Sequence, residues 1–317
     1  MPENPGGRRD CLAPQVPPEA HSPATRTALA RALRAHLADA VDRLGGGTRV
    51  LQRPAPASVT RGEGHFHLRP ELFVQLRGHT DFHLPHGTRR LAAGDALLMP
   101  PRLLHHEVVA ADGDGRPFRN LVVYSDGEVL TCHLAHEHAL GQPGILYLET
   151  RRHPQAGRLL AWLTDAAEVE AHRALPDRQA SALVAAALAG VAQALDAPAD
   201  QDAPTEPALI ARLRVLIKDQ LGDAALSVRG LAAQCGCSAD HLSHVFRART
   251  GEALAAHLNR LRIERAVQLL DETTLSGKEI AWACGFAGPS YFIQQFRRHC
   301  GMTPRQWRER AGTAGRE

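Results

Sequence analysis

Two stretches of this chain carry one pattern twice. Leu231–Gly251 reads LAAQCGCSADHLSHVFRARTG, and Ile280–Gly301 reads IAWACGFAGPSYFIQQFRRHCG. Leu231, Ala232, Cys235 and Gly236 answer Ile280, Ala281, Cys284 and Gly285. After a turn one residue longer in the second copy, Leu242, Phe246, Arg247 and Gly251 answer Phe292, Phe296, Arg297 and Gly301. An internal repeat means that one supersecondary unit is built twice, and it constrains the fold more than any single residue does.

Each copy has the grammar of a helix-turn-helix. An apolar residue and a small one open a short helix, and the alanine allows a second helix to cross closely. Cys235 and Cys284 occupy equivalent core positions and read as small buried hydrophobes. Gly236 and Gly285 follow where a helix end needs positive φ. A second amphipathic helix then starts, after the cap-like Ser238 in the first copy. Its apolar face is Leu242, Val245 and Phe246 in one copy, and Phe292 and Phe296 in the other. The opposite face is polar and partly basic, as suits a helix that enters a major groove. The stretch 253–270 reads as one connecting helix, roughly 27 Å long at ~1.5 Å per residue. That is the order of length that sets two reading helices in successive grooves, ~34 Å apart along a duplex.

The run GFAGPSYFIQQFRRHCGMTPRQWR from Gly285 to Arg308, its weaker first copy, and Arg262, Ala266 and Leu269-Leu270 between them resemble the twin helix-turn-helix domain of AraC/XylS-type bacterial transcription regulators. The resemblance covers about 100 residues. It implies double-stranded promoter DNA as a partner and RNA polymerase as a possible contact. It also implies base contacts from Asp240, Ser243 and His244 in the first reading helix, and from Pro289, Ser290, Ile293 and Gln294 in the second. Two of these depart from the usual pattern. Asp240 is acidic, and Pro289 replaces a residue that is usually polar. Arg247, Arg249, Arg297 and Arg298 are expected on phosphate, which sets affinity and salt dependence rather than sequence.

Charge follows the same division. From Ala208 onward there are 16 Lys+Arg against 10 Asp+Glu, and in the rest 21 against 24, so the basic excess lies in the repeat region. This fits nucleic-acid binding. The six cysteines form no CxxC pair, and the spacing of Cys235, Cys237, His241 and His244 is wrong for a zinc finger. No secretory leader or membrane-length apolar run is evident, so a cytoplasmic protein with reduced thiols is expected.

Between Thr48 and Thr150 the pattern changes to short strands. Candidates are 72–76, 80–84, 96–99, 107–110, 120–124, 129–134 and 145–149, punctuated by Pro, Gly and Asp. Many short strands with regular turns read as a β-sandwich or barrel. Inside lies His65-x-His67-x3-Glu71-x6-Gly78, then Gly94-x5-Pro100 and His105. This resembles the two motifs of the cupin barrel. In metal-binding cupins the equivalents of His65, His67, Glu71 and His105 hold one divalent ion. His65 and His67 on one strand share a face, and three imidazoles with a carboxylate suit Fe, Mn, Ni, Cu or Zn. Arg102 stands where the second motif often has Gly, and His106 is an alternative to His105. The other reading is a metal-free pocket for a small organic effector, as in many AraC-type sensor domains. The remaining histidines, including His79, His83, His86, His133, His136 and His138, are expected mostly at the surface.

The whole chain therefore reads as a multidomain α+β protein. A disordered stretch at 1–24 precedes an N-terminal helix at 25–47. A cupin-like sensor barrel follows at 48–152, then a helical pair at 153–195 that either makes a homodimer contact, as the resemblance implies, or only covers the barrel. A polar, Pro-rich linker at 196–207 leads to an all-α twin helix-turn-helix domain at 208–312 and a tail at 313–317. The expected function is a transcription regulator that senses a small molecule or metal, and not an enzyme. The alternative is a metal-dependent cupin enzyme, of oxygenase or isomerase type, fused to a DNA-binding tail.

Overall fold

A computed structural model describes residues 22–45, 50–52, 64–85, 87–169, 176–197 and 208–314. Cys11, His86, most of the expected disordered start, most of the linker and the end of the tail lie outside them.

The first part is a β-barrel backed by helices. Helix α1 (Pro23–Gly45) precedes nine strands: β1 (Val50–Gln52), β2 (Glu71–Arg77), β3 (His79–Leu84), β4 (Gly87–Ala92), β5 (Ala96–Met99), β6 (His106–Ala110), β7 (Arg119–Ser125), β8 (Val129–Ala139) and β9 (Gln142–Arg152). They form a six-stranded sheet in the order β1-β5-β2-β7-β8-β9 and a three-stranded sheet in the order β4-β3-β6. All the pairings are antiparallel except β1 with β5. In the larger sheet β5, most of β2 and β7, and the first half of β8 are buried on both faces, while β9 is mostly half-buried. Phe73, Leu97, Met99, Val122 and Tyr124 point into the barrel and meet Phe82 and Leu91 of the smaller sheet. The alternate residues Leu72, Val74, Leu98, Leu121, Val123, Cys132 and Leu134 point outward, under helices. Period-two alternation thus supplies two apolar layers from one set of strands.

The outer layer is α1, α2 (Ala156–Glu168) and α3 (Pro176–Asp196). Leu33, Leu37, Ala40 and Leu44 of α1 share a core with Val184, Leu188, Val191 and Leu195 of α3. Arg34 clasps the layer to the sheet. It donates to both oxygens of Glu149 at 2.8 and 3.3 Å, to Asp196 at 3.0 Å and to the Leu195 carbonyl at 3.0 Å. The stretch 178–196 is long and apolar enough to cross a membrane, and here that apolarity is spent on packing.

The second part is helical: α4 (Ala208–Gln220), α5 (Val228–Gln234), α6 (Ala239–Thr250), α7 (Leu254–Glu272), α8 (Gly277–Ala283), α9 (Pro289–Cys300) and α10 (Pro304–Ala314). Ser227 and Ser238 cap α5 and α6 through their hydroxyls, and Ser276 with Glu279 forms a capping box on α8. Leu231, Leu242 and Phe246 pack with Ile210, Leu213 and Ile217 of α4 in one core. Ile280, Phe292 and Phe296 pack with Ala266 and Leu269 of α7 in another. The 19-residue α7 runs through both, so it is the spine of the domain.

Several expectations need correction. β1 and β4 were not legible: β1 has three residues, and β4 is an edge strand with Thr88, Arg89 and Arg90 in place of apolar alternation. The helix expected from His153 begins at Ala156, because β9 continues to Arg152. Cys284 is fully buried, whereas Cys235 is only partly so, at the margin of its core. His133 is buried rather than at the surface, because β8 is paired on both sides and places it opposite Val122.

Candidate functional site

The HxH segment does not extend β2. It pairs instead with the chain before β6: His65 N donates to the His105 carbonyl and His105 N to the His65 carbonyl, both at 2.9 Å. This bridge brings three imidazoles together. One ring nitrogen from each of His65, His67 and His105 lies within 4.8 Å of the others. His105 is the inward residue of its pair, while His106 is exposed and sits 6.0 Å from His83 on the outer face. Arg102 takes positive φ (66°), the only residue other than glycine to do so among the described residues. Its backbone N–H donates to the His67 carbonyl at 2.7 Å. The position often held by glycine thus keeps its glycine-like conformation and ties the two motifs together.

The donor chemistry fits a divalent transition metal. His105 Nδ1 lies 2.9 Å from the Leu103 carbonyl, which can only accept, so Nδ1 carries the proton and Nε2 is bare. That Nε2 is buried and has no hydrogen-bond partner among the described residues. Burial lowers all three histidines: His67 falls to about 4, with the Lys218 charge adding to the effect, and His65 lies well below its usual value. All three are neutral near pH 7, the form that binds metal.

Glu71, the fourth expected ligand, lies beside this triad with its Oε2 3.0 Å from His67 Nε2. Its other oxygen accepts from Lys218 Nζ of α4 at 2.9 Å. Burial would raise this carboxyl, but Lys218 and His67 outweigh it and hold Glu71 well below the usual carboxylate range. Lys218 also sits 3.3 Å from the Tyr124 ring centroid. Asp219 joins His67 and Glu71 in a second group of closely spaced donors. Lys218, Asp219 and Tyr124 had no signal in the motif spacing.

His67, Tyr124, Lys218 and Arg265 line one cleft of about 1200 Å³ between the barrel and the C-terminal helices. Arg214, His257, Arg260 and Glu264 line its helical wall, and Tyr147, Glu149 and Arg151 its barrel wall. The two parts are joined by packing as well. Val215 of α4 belongs to the barrel's interior cluster. Phe66 and Leu104 of the barrel belong to the core around α7, α8 and α9.

The two repeated helices leave most of the residues expected on DNA exposed. Asp240, His244, Arg247 and Arg249 are exposed on α6, and Ser243 is half-buried with its hydroxyl donating to the Ala239 carbonyl at 2.7 Å. On α9, Pro289, Ser290, Ile293, Gln294, Arg297 and Arg298 are all exposed. Pro289 is the first residue of α9, where a missing N–H costs nothing. Tyr291 on that helix is also 46% exposed, with its ring centroid 6.1 Å from that of Phe286.

Two family models match the chain. One described as an AraC-like ligand binding domain covers residues 47–188, and one described as a helix-turn-helix domain covers residues 231–310. Among curated proteins, the HTH-type transcriptional activator RhaR of Enterobacter sp. (strain 638) is 44% identical over 78 residues, 25% of this chain and 28% of that protein. The same activator of Salmonella dublin is 34% identical over 109 residues, 34% of this chain and 38% of that protein. The chain thus spans well under half the length of these relatives. Among solved structures, the DNA-binding domain of AdpA, a global transcriptional factor in complex with a target DNA, is 30% identical. It covers 32% of this chain and 89% of that one, with a TM-score of 0.31. With a ligand binding domain matched at one end and a helix-turn-helix domain at the other, the chain belongs to the AraC/XylS-type family of transcription regulators.

Proposed function

We propose that the chain regulates transcription by binding promoter DNA through α6 and α9 under the control of a ligand held by the barrel. The carrying observation is that both helices bury Leu242 and Phe246, or Phe292 and Phe296, while every arginine of the opposite face stays exposed. Acting as a cytoplasmic homodimer, two copies double the footprint and add avidity. Contact with RNA polymerase makes it an activator. On this reading it is a regulator and not an enzyme. The test is footprinting of the full chain on the region upstream of its own gene, with Arg297→Ala/Arg298→Ala as control. Protection of two adjacent major-groove segments, abolished in the control, is expected. Protection that the control leaves unchanged would overturn the assignment of α9.

For the ligand, the bare, buried Nε2 of His105 favours a divalent metal ion on His65, His67 and His105, with Glu71 as the fourth donor. Such an ion supplies positive charge and fixed coordination at the point where the barrel meets α4. Elemental analysis of untagged protein, with a His65→Ala/His67→Ala variant beside it, tests this. Near-stoichiometric metal in the wild type and none in the variant supports the site. A metal-free, folded wild-type protein that takes up none on titration would leave the cleft to a small organic effector.

A further inference from the structure

One carboxylate faces both the histidine triad and the DNA-binding domain. Glu71 directs Oε2 to His67 and Oε1 to Lys218, at 3.0 and 2.9 Å. Glu71 is 3% exposed, so it exchanges little with water. The Lys218 ammonium lies between two carboxylates, Glu71 at 2.9 Å and Asp219 at 3.7 Å. A divalent ion on the triad adds two positive charges beside Glu71. In a poorly solvated site, like charges so close repel strongly. Glu71 cannot satisfy the ion and the ammonium equally.

The residues that dock the domains are also interleaved with the ligands. Phe66 lies between His65 and His67, and Leu104 precedes His105. In extended chain, neighbours point to opposite sides. The histidines turn inward to one another, and Phe66 and Leu104 turn outward into the core around α7. Arg265 of α7 donates to the Phe66 carbonyl at 3.0 Å and stacks 3.8 Å from the Phe66 ring. A change in the positions of the histidines therefore acts directly on the docked helices.

We propose that Lys218 is a built-in competitor for the metal: it occupies Glu71 when the DNA-binding domain is docked, and a divalent ion on the triad displaces it and loosens the domains. This rests on the metal reading above. Because coupling between sites is reciprocal, the docked domain weakens metal binding by the same factor by which metal weakens docking. Lys218 is a positioning residue in this scheme, since it does not touch the ion.

The experiment is titration of the full chain with Co(II) against a competing chelator, read by the visible ligand-field absorption of the bound ion. Wild type is compared with Lys218→Met, Lys218→Arg and the His65→Ala/His67→Ala control, which is expected to give no band. Lys218→Met removes the charge at similar length and is expected to bind Co(II) about tenfold more tightly, within the usual range of site-to-site coupling. Lys218→Arg keeps the charge and is expected to stay close to wild type. In wild-type protein, saturating Co(II) is expected to raise amide hydrogen exchange around Val215 and Arg265, a readout that does not depend on any variant folding. Stoichiometric Co(II) in wild type with unchanged affinity in Lys218→Met and unchanged exchange would overturn the competition and leave the metal site standing. No band in wild type or in Lys218→Met would overturn both.

Discussion

The guanidinium of Arg265 lies 3.8 Å from the ring centroid of Phe66 and donates to the carbonyl of that same residue at 3.0 Å, across 199 positions of sequence. Burial lowers this arginine to about 10, so it remains a cation near pH 7. Arg265→Met removes both interactions and leaves a buried carbonyl unpaired. The expected loss is about 2–4 kcal/mol, from a desolvated cation–π contact and a charged hydrogen bond. Thermal or urea unfolding of the full chain measures it. An unchanged midpoint would mean that this contact does not hold the two parts together.

Gly236 and Gly285 hold equivalent places in the two repeats and nearly equal φ, 70° and 74°. Their surroundings differ. A Cβ on Gly285 would lie 2.5 Å from the Leu221 carbonyl oxygen and 3.0 Å from the Gly222 carbonyl carbon, whereas one on Gly236 would meet nothing within 4 Å. Gly236→Ala is expected to cost only the left-handed conformation, about 1–2 kcal/mol. Gly285→Ala adds a backbone clash and should cost clearly more. Equal losses on denaturant unfolding would refute the packing difference.

Removing Arg297 or Arg298 should weaken binding to all DNA sequences alike and lower the salt slope by roughly one for each phosphate no longer neutralised. Gln294→Ala should instead relax preference at one base pair, with a discrimination loss of about 1–3 kcal/mol. Affinity measured across a salt series, on specific and scrambled duplexes, separates the two effects. A salt slope that Arg297→Ala leaves untouched would show that this residue does not neutralise a phosphate.

His133 and His136 of β8 are both held to about 4, by burial first. Unfolded histidine takes up its proton near ~6.5. Between about pH 6.5 and about pH 4 the unfolded chain therefore binds more protons at these two sites than the folded one, and their contribution to stability falls as the pH is lowered, while Glu107 and Asp219, raised by burial to about 8 and about 7, act in the opposite sense. Carboxylates such as Glu71, whose folded pKa is depressed, add their loss only at lower pH. Urea midpoints in chelator-containing buffer, at about pH 7.5 and about pH 5, test this against His133→Gln, which should show a shallower decline. A decline as steep in His133→Gln as in wild type would contradict it.

The repeat was legible because its signals are local: small residues, caps and an apolar face at fixed offsets within some twenty positions. The HxH pattern was legible for the same reason, and the choice between His105 and His106 needed only the direction of one strand residue. Lys218 was not legible, because it meets Glu71 across 147 positions and nothing near it in sequence marks the partner. His133 was misjudged because a histidine-rich stretch reads as polar loop. The pairing of β8 on both edges, which depends on the whole sheet, puts it inside. The packing between the domains escaped for a related reason: Phe66 and Leu104 read as barrel residues, yet their partners belong to α7, α8 and α9.

Val215 of α4 completes the apolar interior of the barrel. The two functional halves are therefore not interchangeable cassettes. A hybrid regulator spliced anywhere between α3 and α4 would give its sensor a foreign plug and its DNA reader a foreign socket. Exchange of specificity between relatives would have to carry α4 along with the barrel it fills.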